Sequence, residues 1–487
     1  MIFLVRLAGE IAVKSNTVRV KFVNQLVSNL HSAFLKSDVK AVVKKTWSRI
    51  YVESGDDRCA DILKTIFGVQ SFSPVDFVTE SDLEKITQAS ENYYRSVVTG
   101  QTFAVKARRS GKVGFTSMDA NRAVGAALNK VPSASVDLSS PGVVIELEIQ
   151  DDQTYFYHKV IPGAGGMPLG TGGRAVVLMS GGFDSPVAAW MLQKRGVKVD
   201  YLFCNLAGAS YERSVLEISK YLYDRWGNGS RSRFAVVPFE KVLDELKAKV
   251  EPKFVQLILK RLFYRVAEKF ARRVGASAII TGEAVGQVSS QTLKNLAAID
   301  GATSLPVLRP LVAFDKNEIN ELSRKIGTYE FSAKVNEYCH VSSGKPITAC
   351  SAEKASFEES KFDLAVLEDA AENATLRELR KVKLSEIVKD FILVDHVPEN
   401  AQVIDTRPED LFEEWHYPGA KNIEAFYFYE KPKMLEKGKT YILYCPYGLQ
   451  SAVAAEKMQS LGYEVYSFRG GVDVLKKTLK SSDNGSK

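Results

Sequence analysis

The stretch Ala175–Leu192, AVVLMSGGFDSPVAAWML, decides the fold of the region around it. Its first five residues, Ala175–Met179, predict a buried strand. Pro186 predicts the opening of a helix, because its missing N–H would have no partner in a first helical turn. The residues between, Ser180–Ser185, form a tight turn with two glycines. Such a turn points backbone N–H groups and a helix N-terminus at one place, which makes an anion-binding site.

This turn does not fit the phosphate loop of kinase-type proteins. The pattern G-x-x-x-x-G-K-[ST] needs a lysine and a hydroxyl that do not follow here. The similar stretch Gly438-Lys439-Thr440 lacks the earlier glycine, because Lys433 stands there. A structural strand-to-helix turn is the remaining alternative. The pattern S-G-G-x-D-S resembles instead the pyrophosphate loop of the ATP-pyrophosphatase superfamily, which implies cleavage of ATP between its α- and β-phosphates.

Composition places the chain among ordinary globular proteins. It has 487 residues, 45% hydrophobic and 25% charged, and domains of about 100–200 residues predict three or four of them. The net charge of +7 is uneven, with six basic residues against one acidic in 101–130 and seven against one in 253–273. Such stretches indicate a polyanionic partner such as nucleic acid, with a solvated helix face as the alternative for each.

Cysteine usage and hydropathy predict a cytoplasmic protein without a membrane partner. No apolar run reaches the roughly 18 residues of a membrane span, and the first residues lack the charged segment of a signal peptide. The histidines show no ligand-like spacing, so no structural metal is predicted. An odd number of distant cysteines disfavours a disulfide framework and a zinc ribbon. These cysteines are Cys59, Cys204, Cys339, Cys350 and Cys445.

Residues 1–75 predict a domain that is ferredoxin-like in outline, with the order β-α-β-β-α. The predicted strands and helices, in chain order, are Ile2–Leu7, Val18–Phe34, Val39–Val43, Arg49–Glu53 and Ala60–Ile66.

Residues 76–165 predict an RNA-binding domain. The stretch Phe103–Ser117, FAVKARRSGKVGFTS, followed by NRAVG at 121–125, resembles the THUMP domain of RNA-modifying enzymes. A strand with basic side chains beside a glycine-containing loop suits contact with phosphates, which positions RNA without reading its sequence. The predicted RNA-binding residues are Lys106, Arg108, Arg109, Lys112 and Arg122.

Residues 166–350 alternate strand and helix patterns, which predicts a doubly wound parallel sheet with its ligand at the strands' carboxyl ends. The run Thr281–Thr292, TGEAVGQVSSQT, together with Lys260-Arg261, closely resembles tRNA 4-thiouridine synthetases. These enzymes combine a ferredoxin-like N-terminus, a THUMP domain and a pyrophosphate-loop domain. The resemblance spans nearly the whole chain and makes Asp184 the candidate organiser of ATP and Mg²⁺. The ATP-binding residues it implies are Leu178, Met179, Ser180, Gly181, Gly182, Ser185, Lys260, Gly282 and Gln291.

Two segments follow the predicted ATP site. Asn336–Val341, NEYCHV, contains Cys339, which the resemblance makes a thiol of sulfur transfer and which is otherwise a passive residue. Over most of its length, the segment 351–385 is rich in Glu, Lys, Ala and Ser. This composition predicts a solvated, flexible helical linker.

Residues 386–487 predict a further α/β domain, giving an α/β multidomain fold. Cys445 ends a predicted strand and enters a loop before a helix, where N–H groups lower a thiol pKa and hold a persulfide anion. A core cysteine is the alternative. Pro446–Ser451 has no basic residue, which favours a persulfide from another protein over a small anion such as thiosulfate. The motifs that resemble a rhodanese, in order, are D-T-R at 405–407, HYPGAKNI at 416–423, YILYCPYGLQS at 441–451, LGY at 461–463 and FRGG at 468–471.

The resemblance implies an ATP- and persulfide-dependent tRNA uracil 4-sulfurtransferase. It would adenylate a uridine, receive sulfur on Cys445 from a cysteine desulfurase and leave 4-thiouridine. Cys339 would then form a disulfide with Cys445, and the linker would let the pyrophosphate-loop and rhodanese domains come together. The resemblance also implies sulfur supply for thiamine thiazole synthesis through a sulfur-carrier protein. Two alternatives stay open: a pyrophosphate-loop ATP ligase for another RNA base or small substrate with the rhodanese as a separate sulfur carrier, and an RNA-binding scaffold with a degenerate rhodanese.

Overall fold

The computed structural model describes residues 1–206, 209–333, 345–383, 386–387, 392–425, 427–446 and 448–484. The chain forms two compact units, 1–168 and 169–487. In the described part of the chain, no helix is both long enough and apolar enough to cross a membrane.

Unit 1–168 contains β1 (Ile2–Leu7), α1 (Gly9–Ala12), α2 (Asn16–Lys36), β2 (Ala41–Lys45), β3 (Arg49–Ser54), α3 (Arg58–Thr65), β4 (Val69–Pro74), β5 (Phe77–Glu80), α4 (Leu83–Val98), β6 (Thr102–Arg109), α5 (Ser117–Leu128), β7 (Ser135–Val136), β8 (Val143–Ile149), β9 (Gln153–Tyr157) and β10 (Ile161–Pro162). Strands β10-β4-β1-β3-β2 form an antiparallel sheet, and β5-β9-β8-β6-β7 form a second sheet. The predicted β-α-β-β-α order is present as β1, α2, β2, β3 and α3. Helix α2 packs on the first sheet because Leu26, Leu30 and Phe34, spaced four residues apart, are all buried.

Unit 169–487 begins with a doubly wound domain made of β11 (Arg174–Leu178), α6 (Asp184–Lys194), β12 (Lys198–Asn205), α7 (Ala209–Trp226), β13 (Arg233–Pro238), α8 (Glu240–Lys249), α9 (Val255–Val274), β14 (Ile279–Ile280), α10 (Leu293–Asp300), β15 (Val307–Leu308), α11 (Lys316–Ile326), α12 (Tyr329–Ala333), α13 (Ala352–Glu359), α14 (Leu364–Glu372) and β16 (Thr375–Glu378). The sheet order is β15-β14-β11-β12-β13-β16, parallel except for β16. The order reverses at β11, with β12 on one side and β14 on the other. Ligands of such sheets bind at this reversal, beyond the carboxyl ends of the strands.

Two boundaries near this reversal differ from the predicted ones. Helix α6 begins at Asp184 rather than Pro186, because Ser185 already closes the turn by accepting a hydrogen bond from the Ser180 N–H at 2.9 Å. The strand predicted over 276–281 is limited to Ile279–Ile280, the two residues that pair with both β11 and β15.

The predicted flexible linker is wrong over most of its length. Helices α13 and α14 pack into the core of the doubly wound domain through Ala355, Phe362 and Leu367, and β16 pairs with β13. The buried Arg261 side chain of α9 donates to the Glu359 carboxylate of α13 at 2.8 Å. A surface rich in Glu and Lys therefore conceals a buried face, which the linker prediction did not recognise.

The same ion pairs explain the basic stretch 253–273. Lys260, Arg261 and Arg265 pair with buried carboxylates. Lys253, Lys269 and Arg272 have exposed side chains, as the solvated-face alternative expected. The polyanion prediction for this stretch stays a prediction. The paired residues are Lys253, Lys260, Arg261, Arg265, Lys269 and Arg272.

The unit ends with a second parallel sheet built from β17 (Leu393–Val394), β18 (Gln402–Asp405), α15 (Glu409–Glu414), β19 (Lys421–Asn422), α16 (Tyr427–Glu430), β20 (Thr440–Tyr444), α17 (Leu449–Ser460), β21 (Glu464–Phe468) and α18 (Gly471–Asn484). Its strand order is β17-β21-β20-β18-β19. Buried Asp405 holds the Arg407 guanidinium at 2.7 Å, so the D-x-R motif stabilises the end of β18.

Candidate active site

The turn Ser180–Ser185, here called the pyrophosphate loop, joins β11 to α6 at the sheet reversal. The hydroxyls of Ser180 and Ser185 lie 3.1 Å apart, and the Gly181 N–H donates to the Tyr211 hydroxyl at 3.2 Å. Two N–H groups of the loop therefore donate to hydroxyl oxygens beside the N-terminus of α6. Backbone N–H groups and a helix N-terminus together favour an anion.

Gly282 packs directly against this loop. It follows β14, the strand beside β11, and a Cβ atom there would lie 2.7 Å from the carbonyl carbon of Asp184 and from the backbone nitrogen of Ser185. Backbone atoms cannot give way as a flexible side chain can. A glycine at position 282 therefore lets the segment after β14 contact the first residues of α6.

Asp184 is held by two side chains from distant parts of the chain. The Lys316 Nζ lies 3.1 Å from Oδ1, and the Gln287 amide donates to Oδ2 at 3.1 Å. The carboxylate also stands in the first turn of α6, where the helix dipole stabilises negative charge. Lys316 therefore brings a positive charge to the pyrophosphate loop.

Lys260 belongs to a buried cluster of charges around Glu283. The Glu283 carboxylate accepts from Lys260 at 2.9 Å, from the Tyr264 hydroxyl at 2.6 Å and from Arg309 at 2.9 Å. Burial alone would raise the pKa of Glu283, but Lys260, Tyr264 and Arg309 outweigh it and hold the pKa at about 2. Glu283 therefore stays ionised and fixes Lys260 near Gly282.

Gln291 has the features of a ligand-binding side chain. It is 8% exposed, and its Oε1 has no hydrogen-bond partner within the described ranges; the same holds for the buried Ser290 hydroxyl. A buried acceptor without a donor is costly. A ligand N–H or O–H in the crevice would satisfy it.

Cys445 follows β20 and begins the loop to α17. The residue is 1% exposed, and its Sγ accepts hydrogen bonds from the Ser451 N–H at 3.4 Å and the Ser451 hydroxyl at 3.3 Å. Gly471, at a φ of 73°, closes over this loop, since a Cβ there would meet the Cys445 carbonyl oxygen at 2.6 Å. Both donors to the sulfur therefore come from one residue in the first turn of α17.

Curated relatives match the chain over nearly its whole length. It is 39% identical over 478 residues to a tRNA sulfurtransferase of Saccharophagus degradans, which covers 95% of this chain and 98% of that protein. The chain belongs to the tRNA sulfurtransferase family. A tRNA sulfurtransferase of Shigella dysenteriae is 36% identical over 475 residues, with the same two shares of the chains covered. The family assignment made from the sequence is therefore confirmed.

Family models and a solved structure agree with the tRNA sulfurtransferase assignment. The models are described as ThiI ferredoxin-like domain (2–73), THUMP domain (80–159), Thiamine biosynthesis protein (ThiI) (170–364) and Rhodanese-like domain (393–478). A crystal structure of a 4-thiouridine synthetase–RNA complex with bound ATP is 30% identical, with a TM-score of 0.68, and covers 77% of this chain and 98% of that one. These matches confirm the α/β multidomain fold.

The predicted site residues of this tRNA sulfurtransferase family member fall into separate groups. Residues 178–185, Gly282 and Lys260 converge at the sheet reversal, with Gln291 at the end of the loop that contains Gly282. Cys445 lies in the rhodanese domain, and Cys339 lies outside the described residues. The predicted RNA-binding residues Lys106, Arg108, Arg109, Lys112 and Arg122 are exposed, and Arg109 also donates to the Val113 and Phe115 carbonyls.

The sequence analysis missed two charged residues of this site. Glu283 lies within the TGEAVG sequence, directly after Gly282. This position is a signal that could have identified it as a residue of the site. Lys316 had no such signal, because it reaches Asp184 from 132 positions away. Cys204 is a core residue of the doubly wound domain, and burial raises the pKa of its thiol.

Proposed function

We propose that the chain uses ATP to adenylate O4 of a uridine in tRNA and replaces that oxygen with sulfur carried on Cys445, giving 4-thiouridine. The observation that carries this proposal is the presence, in unit 169–487, of both a pyrophosphate loop at a sheet reversal and a cysteine whose sulfur is held by hydrogen-bond donors. The solved relative named as a 4-thiouridine synthetase, with RNA and ATP, supports it.

The crevice suits ATP. The triphosphate would lie against the backbone of Ser180–Gly182 and the Ser185 hydroxyl, with Lys260 supplying positive charge. Leu178 ends β11 and Met179 follows it, both beneath the nucleotide, and the unpartnered Gln291 Oε1 suits the amino group of adenine. Gly282 leaves room for the loop.

Mg²⁺ fits as an ion carried by the triphosphate. The described residues contain no group of three or more His, Cys, Asp or Glu side chains that would hold a metal by themselves. One carboxylate plus phosphate oxygens is the usual set for this ion, and Asp184 is the carboxylate at the loop. Bound there, Mg²⁺ would neutralise charge on the phosphates.

The chemistry balances as three displacements. Uridine O4 attacks the α-phosphorus and pyrophosphate leaves. The terminal sulfur of the Cys445 persulfide then attacks C4, a proton is released and AMP leaves. The Cys339 thiolate attacks the Cys445 sulfur, forming a Cys339–Cys445 disulfide and freeing the thiolated base. A dithiol reductant restores both thiols. A cysteine desulfurase supplies the persulfide.

The remaining partners follow from the other domains. Lys106, Arg108, Arg109, Lys112 and Arg122 would contact tRNA phosphates. Sulfur on Cys445 would also pass to a sulfur-carrier protein for thiamine thiazole synthesis, consistent with the description of the family model over 170–364. A cycle that ends in reduced thiols belongs in the cytoplasm.

The test is mass analysis of nucleosides from unmodified tRNA incubated with the full chain, ATP, Mg²⁺, cysteine and a cysteine desulfurase. We expect 4-thiouridine that disappears when ATP is omitted. Asp184→Asn should lower its rate of formation by about 100-fold, because a charge placed for the reaction is lost. Turnover of ATP without a thiolated base would contradict the proposal and favour an ATP ligase.

Gly282→Ala tests the close approach to the pyrophosphate loop. The added methyl group must displace the Asp184–Ser185 backbone, so ATP affinity measured by calorimetry should fall about 10-fold or more, the effect of roughly 1–3 kcal/mol of overpacking. Gly55→Ala is the matched control, since a Cβ there meets nothing within 4 Å. Unchanged affinity in Gly282→Ala would show that the loop tolerates the shift.

A further inference from the structure

Helix α12 contacts the pyrophosphate loop on one side. The Ser332 hydroxyl donates to the Gly182 carbonyl oxygen at 3.1 Å, and the centroids of the Tyr329 and Phe183 rings lie 5.1 Å apart. Two residues of one short helix therefore touch two residues of the loop.

The same helix contacts the rhodanese domain. Gln450, in the first turn of α17, donates its amide to the Glu330 carboxylate at 3.3 Å and to the Gly327 carbonyl at 3.4 Å. Glu330 is 4% exposed. Gln450 is the direct neighbour of Ser451, the residue that donates to the Cys445 sulfur. A shift of Gln450 therefore moves the donors that hold the sulfur.

A second polar contact between the two domains is weaker. Arg213 of α7 and Glu456 of α17 lie 3.6 Å apart with partly exposed side chains, and such pairs contribute little. Breaking the buried Gln450–Glu330 hydrogen bond has a larger effect, because it leaves a buried polar group without a partner.

We propose that Gln450 and Glu330 are positioning residues for sulfur transfer, and that their hydrogen bond holds the Cys445 loop on helix α12 and hence beside the pyrophosphate loop. This inference rests on the proposed function, because it concerns delivery of sulfur from Cys445 to the adenylated uridine. Neither side chain touches the reacting atoms.

The charges around Glu330 and Gln450 suggest a test in which the carboxylate and the amide exchange positions. Burial raises the pKa of Glu330, and Glu424 of the rhodanese domain also raises it, whereas Gln450 and Arg324 lower it; the resulting pKa is about 7. At pH 8 the Glu330 carboxylate therefore accepts from Gln450. Gln450→Glu removes this donor and places two carboxylates together, whereas adding Glu330→Gln restores one donor and one acceptor in exchanged positions.

The experiment compares two sulfur donors in the full chain at pH 8. Cysteine plus a desulfurase loads Cys445, whereas inorganic sulfide attacks C4 of the adenylated uridine directly and displaces AMP. We expect Gln450→Glu to lower the desulfurase-supported rate by about 10- to 100-fold, the effect of an unpaired buried group. The sulfide-supported rate should stay within about twofold, because free sulfide needs no contact between the Cys445 loop and helix α12. Gln450→Glu with Glu330→Gln should recover most of the desulfurase-supported rate.

Gln88→Glu is the matched control, because it makes the same change at an exposed position of α4 and should alter neither rate. Hydrogen exchange of the α12 amides gives a readout independent of activity, faster in Gln450→Glu and restored in the exchanged pair. Equal losses with both donors, no loss at all, or an exchanged pair that does not recover would each overturn the inference. A wild-type chain that thiolates no tRNA with either donor would overturn the proposed function itself.

Discussion

Cys445→Ser is expected to reduce persulfide-dependent formation of 4-thiouridine by at least about 1000-fold, the scale seen when a nucleophile is removed. A serine hydroxyl cannot carry the transferable sulfur atom. It fits the same place, because Ser451 can still donate to it where it now donates to the sulfur. The measurement is the rate with cysteine and a desulfurase, together with the protein mass, which should show one added sulfur atom only in the wild type.

The matched control is Cys350→Ser, which replaces a buried thiol of the doubly wound domain. Its hydroxyl can keep the hydrogen bond that the Cys350 thiol donates to the Ser351 carbonyl, so the rate should stay within about twofold. Persulfide-dependent thiolation that persists in Cys445→Ser would mean that another thiol carries the sulfur.

Arg261→Leu is expected to loosen helix α13 by about 3–5 kcal/mol, the usual cost of breaking a buried ion pair from one side. Arg261 is 2% exposed, donates to Glu359 at 2.8 Å and 3.2 Å and also reaches the Ala298 carbonyl. Its loss leaves Glu359 with Arg265 as its remaining ion-pair partner in the described structure. Native-state hydrogen exchange of α13 amides should become faster by about 100-fold or more, since about 1.4 kcal/mol corresponds to tenfold.

Arg272→Leu provides the comparison on the same helix. Arg272 pairs with Glu268 four residues earlier at 2.6 Å, but its side chain is 66% exposed, so α13 exchange should not change. Combining Arg261→Leu with Glu359→Leu should restore slow exchange, because both charges are then gone. Unchanged exchange in Arg261→Leu would show that apolar packing alone holds α13.

Local patterns predicted most of the fold. The apolar residues of β11 and the four-residue spacing in α2 gave the strand and the helix, because both signals come from neighbours in sequence. The linker prediction failed for the opposite reason. Glu359 has the composition of a solvated residue, and its burial depends on Arg261, 98 positions earlier. Such a pairing exists only once the chain has folded.

The residues of the candidate site also fall into two groups, those that a local sequence pattern predicts and those that only the folded chain brings together. The pyrophosphate loop and Cys445 were recognisable because each function needs a contiguous motif, a turn with glycines or a strand followed by a cysteine loop. Lys316 and Glu330 lie outside such motifs. Gln450 lies within the motif at 441–451, but its contact with Glu330 comes from helix packing. The assigned roles of the loop residues, Cys339 and the RNA-binding residues stay predictions.

Cys445 is almost wholly buried. Because of this burial, acceptance of a sulfur atom and its delivery are separate events. Neither a donor protein nor an RNA base can reach the sulfur in the arrangement described, so accepting a sulfur atom and delivering it both require the loop to move. Chains charged beforehand and then separated from the desulfurase would therefore each supply a single sulfur atom. During that interval the enclosed persulfide is shielded from free thiols in the surroundings, which would otherwise reduce it before it meets its RNA.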